Sequence, residues 1–101
     1  MLNGVEAGSL TDFRIFETDQ FQRDLRKLTL AGHARIVKKL RAVVYPQLRS
    51  HPHHGPNIRK LKEMEPETWR YRVGAWRFFY EIDESKRVVS MTAAAHRGAA
   101  Y

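Results

Sequence analysis

The chain has 101 residues, 43% hydrophobic and 29% charged, without cysteine, and 18 Lys and Arg against 11 Asp and Glu give a net charge of +7. That length and balance describe one globular domain with a modest core and exclude a disordered chain, a disulfide framework and thiolate chemistry. So large a positive excess draws a polyanion, either nucleic acid or an acidic protein partner.

The opening "MLNGVEAGSL" has neither a basic n-region nor an apolar h-region and does not read as a secretory signal. No apolar run is long enough to span a bilayer, and the lack of cysteine suits a reducing compartment, so a cytoplasmic location is expected. Residues 1–11 lack periodicity and are expected to form a flexible arm before a single domain, 12–101. "FRIF" (13–16) alternates like a strand. Asp19 is the expected N-cap of a first helix, with Gln22 as its capping-box partner. Phe21, Leu25 and Leu28 recur at helical spacing and predict a helix over 19–28, which "TLAG" breaks. A second helix is expected from 33 to about 45, with Ile36, Val37, Leu40, Val43 and Val44 on one face and Arg35, Lys38, Lys39 and Arg41 on the other. Pro46 should end or kink it near Tyr45.

"SHPHHGP" (50–56) reads as a loop. His51, His53 and His54 invite a metal reading, but structural zinc draws ligands from two separated segments, and no cysteine or second histidine pair follows; no metal or cofactor is expected. "NIRKLK" begins a strand, "EMEPET" is an acidic connection, two strands flank Gly74, and "DESK" turns the chain into "RVVSMTAAA". This order predicts an α+β fold, two N-terminal helices packed on a four- to five-stranded antiparallel sheet.

The most informative stretch is "WRYRVGAWRFFY" (69–80), with three arginines and six aromatics in twelve positions. Gly74-Ala75 fits a two-residue type II′ turn with glycine first. Alternation then puts Trp69, Tyr71, Val73, Trp76, Phe78 and Tyr80 on the core face. Arg70, Arg72, Arg77 and Phe79 fall on the other, with Arg72 directly opposite Arg77. Facing cations cost a sheet a few tenths of a kcal/mol or more. They make sense where an anion is to lie between them, because guanidinium forks match phosphate oxygens. The competing reading is that Glu81 or the acidic "EMEPET" loop neutralises them.

The run "NIRKLK…WRYRVGAWRFFYEID…VVSM…AHRGAAY" resembles the RelE/ParE superfamily of bacterial toxin–antitoxin toxins, over roughly residues 12–101. The resemblance rests on a basic "KL" segment, alternating basic residues before a Gly turn, an aromatic then Arg after it, and a basic tail ending in Tyr. RelE-like members cleave messenger RNA in the ribosomal A site, whereas ParE-like members poison DNA gyrase. The RelE-like branch is the expectation here: a metal-independent messenger RNA endonuclease that blocks translation. It implies that Arg70, Arg72, Arg77, Arg97 and Tyr101 occupy active-site positions. Relatives often carry Lys where this chain has Arg70 and Arg72, and arginine does not serve as a base. His96, beside the matched tail, has a titration range suited to proton transfer, with a surface histidine as the plain alternative. Arg59, Lys60 and Lys62 are expected to steer RNA phosphate, with Phe79 on the same RNA-binding face. The implied partners are a cognate antitoxin, through which the complex reaches operator DNA, and the ribosome with its message. The rivals are gyrase poisoning and a non-catalytic RNA- or protein-binding module on the same fold.

Overall fold

The computed structural model describes residues 12–98; the expected arm (1–11) and Tyr101 lie outside them. β1 (Arg14–Glu17) runs straight into the first helix, α1 (Asp19–Leu30). Thr18, rather than Asp19, is the N-cap: extended at φ −68°, ψ 164°, it accepts the Phe21 N–H on Oγ1 at 3.1 Å. Asp19 instead occupies the first turn, where its charge complements the helix dipole. Phe21, Leu25 and Leu28 form the buried stripe, as their spacing predicts. The helix runs two residues beyond the expected end and closes in a Schellman turn. His33 N–H reaches the Leu28 carbonyl and Gly32 N–H the Thr29 carbonyl, with Gly32 at φ +92°.

The second helix, α2 (34–50), does not end at Pro46. It passes from Ala34–Lys39 through a π-helical turn, Leu40–Val44, into Tyr45–Ser50. Proline lacks an N–H and its ring crowds the carbonyl four residues back. The wider turn, in which Tyr45 N–H bonds the Leu40 carbonyl, accommodates that crowding without breaking the rod. Leu40, Val44, Tyr45 and Leu48 are thereby kept on the buried side.

The remaining strands are β2 (Ile58–Lys60), β3 (Trp69–Val73), β4 (Trp76–Asp83) and β5 (Val88–His96), in the sheet order β1-β5-β4-β3-β2. The expectation of a purely antiparallel sheet is corrected: β1 pairs with β5 in parallel, so the sheet is mixed, and a strand precedes the helices. A parallel pair needs a crossover rather than a hairpin. Both helices and the other three strands form that crossover, so no local signal marks the pairing.

β5 carries a bulge. Phe79 pairs with Ala93 but Tyr80 with Met91, which leaves Thr92 as the extra residue, its hydroxyl donating to the Phe79 carbonyl at 3.2 Å. β1 has ended by this point, and α1 takes over the exposed edge. Thr18 bonds the Met91 carbonyl through both N–H and hydroxyl, and Asp24 accepts the Ala94 N–H at 2.9 Å. These contacts satisfy backbone groups that a bulge otherwise leaves unpaired.

Both helices cover one face of the sheet, where Phe21, Leu40, Leu48, Phe78, Tyr80 and Met91 are fully buried. The Tyr80 hydroxyl donates to the Pro52 carbonyl at 2.7 Å, tying the 51–57 loop to the core, and burial pushes its phenol pKa up. Tyr80→Phe should lower stability by about 1–3 kcal/mol in a urea melt, because the buried carbonyl loses its donor. An unchanged midpoint would show that water replaces the hydroxyl. Among the described residues, no helix is long and apolar enough to cross a membrane.

Candidate functional site

The β3–β4 hairpin has the expected register: Trp69 faces Tyr80, Arg70 Phe79, Tyr71 Phe78, Arg72 Arg77, and Val73 Trp76. Gly74 sits at φ +56° while Ala75 keeps a negative φ, the sign pattern of a type II′ turn. Tyr71, Val73, Phe78 and Tyr80 face the helices and are buried. The opposite face, which neither described helix covers, therefore receives Arg70, Arg72 and Arg77.

β2 adds a fourth cation. Arg59 lies directly opposite Arg70, so one row across the sheet reads Arg59, Arg70, Phe79, Ala93, and the next reads Arg72, Arg77, Ala95. Arg70 and Arg77 are half-buried, and the Nε of each is buried without a hydrogen-bond partner. Burial, then the charges of Arg59, Arg72 and Arg77, lowers the Arg70 pKa below the ordinary guanidinium value. Among the described residues no carboxylate forms an ion pair with any of these four arginines. Glu67 of the acidic loop pairs with Lys60 instead, at 3.2 Å, and Glu81 pairs with none. Neutralisation from within the chain is thus absent among the described residues. What stands there is a cluster of guanidinium groups on one sheet face, of a type and charge that suit phosphate oxygens.

The other expected site residues fall in different places. Phe79 lies on the arginine face but only 5% exposed, flanked by Arg70 and Ala93. The exposed Arg97 donates its backbone N–H to the Ala75 carbonyl at 2.7 Å, which fixes its backbone beside the hairpin turn. Lys60, opposite Trp69, takes the other side of β2 from Arg59, and Lys62 lies exposed beyond the strand.

His96 is not brought to the arginines. The Thr92 bulge reverses which residues of β5 face the helices, so His96 pairs with Trp76 on the helix side. There His96 and His33 both pack on the Trp76 ring, at centroid distances of 5.1 and 5.3 Å. Of the "HPHH" loop, His53 meets Glu84 and stacks edge-on against Trp69, while His51 and His54 are exposed. Sequence reasoning gave Arg59 only a steering role, although the β2–β3 register puts it beside Arg70. A basic residue in "NIRKLK" at the parity of the hairpin arginines was the available signal.

The model for "ParE toxin of type II toxin-antitoxin system, parDE" matches residues 15–101. No curated protein matches the chain. Among solved structures it is similar to the toxin-antitoxin complex RelBE2 from Mycobacterium tuberculosis, with 23% identity and a TM-score of 0.67, covering 89% of this chain and 97% of that one. It is also similar to the archaeal RelE-RelB complex from Pyrococcus horikoshii, at 21% identity and 0.63, covering 87% and 98%. The YoeB/ParE toxin from Agrobacterium tumefaciens gives 20% identity and 0.66, covering 83% and 98%. At these identities the likeness to the solved structures is one of fold, and the family model supplies the rest. The chain belongs to the ParE toxin family of type II toxin–antitoxin systems, within the RelE/ParE superfamily.

Proposed function

We propose that this toxin stops translation by cutting ribosome-bound messenger RNA, with the arginine face gripping the scissile phosphate. The carrying observation is that Arg59, Arg70, Arg72 and Arg77 share one open sheet face with no carboxylate partner among the described residues. Attack by the RNA's own 2′-hydroxyl needs stabilisation of charge growing on the phosphate oxygens, and Arg70, Arg72 and Arg77 are placed to supply it. Arg97, held beside the hairpin turn, extends the same surface, and Tyr101 at the chain end is proposed to stack on a base. Arg59, Lys60 and Lys62 steer the phosphate backbone through long-range charge. This chemistry requires no metal or cofactor. The toxin works in the cytoplasm with the ribosome. A cognate antitoxin covers the basic surface with an acidic segment and carries the complex to operator DNA.

His96→Gln should leave the cleavage rate unchanged, since the imidazole faces Trp76 and the helices. A steep loss with the fold intact would return the proton-transfer role to this histidine.

Gyrase poisoning is the second reading, favoured by the family model itself, which is that of ParE. Inducing the chain alone in bacteria, while following protein and DNA synthesis separately, decides between them. An early stop in protein synthesis supports messenger RNA cleavage; an early stop in DNA synthesis supports the gyrase reading. A culture that halts neither points to a binding module.

A further inference from the structure

We infer that Glu81 is the general base of this site, accepting the 2′-hydroxyl proton of an RNA phosphodiester held by Arg70, Arg72 and Arg77. The inference rests on the RNA-cleaving reading above. Glu81 lies on β4 at the same parity as Arg77 and Phe79, and so on the arginine face. Arg70 is opposite Phe79, which makes Glu81 its diagonal cross-strand neighbour, with the two backbone positions roughly 7–8 Å apart. Long side chains on such a diagonal reach one another's surroundings, so a carboxylate and a guanidinium there can address the neighbouring hydroxyl and phosphate groups of one ribose unit.

Glu81 is half-buried, and its carboxylate has no hydrogen-bond or ion-pair partner among the described residues, despite the cations nearby. Other acceptors on or near the sheet are committed elsewhere or face away. Asp83, also on the open face, accepts from the Ser85 hydroxyl and the Lys86 N–H and closes its own turn. Glu17 is bound by the Tyr45 hydroxyl and Arg41, and Glu67 pairs with Lys60. His96 faces Trp76, and arginine does not act as a base. The groups around Glu81 are Arg70 from β3, Asp83 along β4 and the uncharged Ser90 from β5.

In the step, the Glu81 carboxylate takes the 2′-hydroxyl proton as O2′ forms its bond to phosphorus. The P–O5′ bond breaks, and its electron pair leaves on the 5′-oxygen, which takes a proton from solvent water. The products are a 2′,3′-cyclic phosphate and a 5′-hydroxyl end, and Glu81 returns its proton to solvent.

The test uses purified toxin with ribosomes carrying a defined message, alongside binding of a short fluorescent RNA. Glu81→Gln should lower cleavage by about 10²–10⁴-fold, leave RNA affinity equal or tighter, and remove the acid limb of the pH–rate profile. Melting temperature checks the fold, and Glu81→Asp should restore part of the rate. A Glu81→Gln protein that cleaves at the wild-type rate with the wild-type pH profile overturns the inference and leaves the RNA-cleaving reading standing. Cleavage that falls only in proportion to lost RNA affinity overturns it too. Wild-type toxin that leaves the message intact overturns the reading itself, and the inference with it.

Discussion

Cells induced for the Arg70→Met toxin are expected to grow as uninduced cells do, while the purified variant melts at the same temperature as wild type or higher. Arg70 stands among Arg59, Arg72 and Arg77, with a buried Nε that has no partner among the described residues. Its charge is held there against both desolvation and repulsion, which is what lowers its pKa. Methionine keeps an apolar stem of similar length on the sheet and removes the charge. The folded chain therefore loses a repulsion and no ion pair. Function moves the other way, because a preorganised donor to a developing oxyanion is worth about 10²–10³-fold in rate. Arg77→Ala should behave alike in the growth assay, since Arg77 faces Arg72 on the same surface. Growth assays beside thermal melts decide the matter. Equal losses of toxicity and melting temperature at Arg70 would show that the guanidinium is structural, and the arginine face would lose its claim to be a site.

The hairpin was legible in the sequence because two independent signals agreed on it. Gly74-Ala75 fixes the turn, and strict alternation of aromatic and arginine from Trp69 to Arg72 fixes the faces. Together they determine the register that brings Arg72 opposite Arg77. Where a single signal stood alone, the structure departs from it. Pro46 marks a helix end only if the ladder stays α-helical, and the π turn over Leu40–Val44 removes that condition. Asp19 and Thr18 are both capping residues by type, and only the extended geometry at the end of β1 selects Thr18.

The fate of His96 is the most instructive case. "MTAAA" contains no glycine, proline or pattern break to announce a bulge, yet one extra residue at Thr92 turns His96 toward the helices. The contacts that accompany the bulge come from outside the strand, from Thr18 and Asp24 of a segment about seventy residues earlier. The parallel pairing of β1 with β5 escapes local reading for the same reason. Site residues next to a hairpin turn can be placed from sequence, whereas those beyond a bulge met by a distant segment cannot.

The largest stability effect should follow Phe78→Ala. Phe78 is fully buried, pairs across the sheet with Tyr71, and meets the Phe21 ring of α1 edge-on at 6.1 Å. It thus joins the sheet to the helix that caps it, and deleting the ring leaves a cavity bordered by both. Removing a buried phenylalanine costs about 3–5 kcal/mol, against a total of about 5–15 kcal/mol for a small domain. Much of the variant should be unfolded at growth temperature, and a urea melt at lower temperature should show the midpoint fall by that free energy. Trp76→Ala should cost less although the residue is larger, because Trp76 is only half-buried in its sandwich between His33 and His96. The comparison separates the two ends of the hairpin. A Trp76→Ala protein as unstable as Phe78→Ala would place the centre of the core at the turn, and the arginines opposite would then sit on a face whose backing differs from the one described.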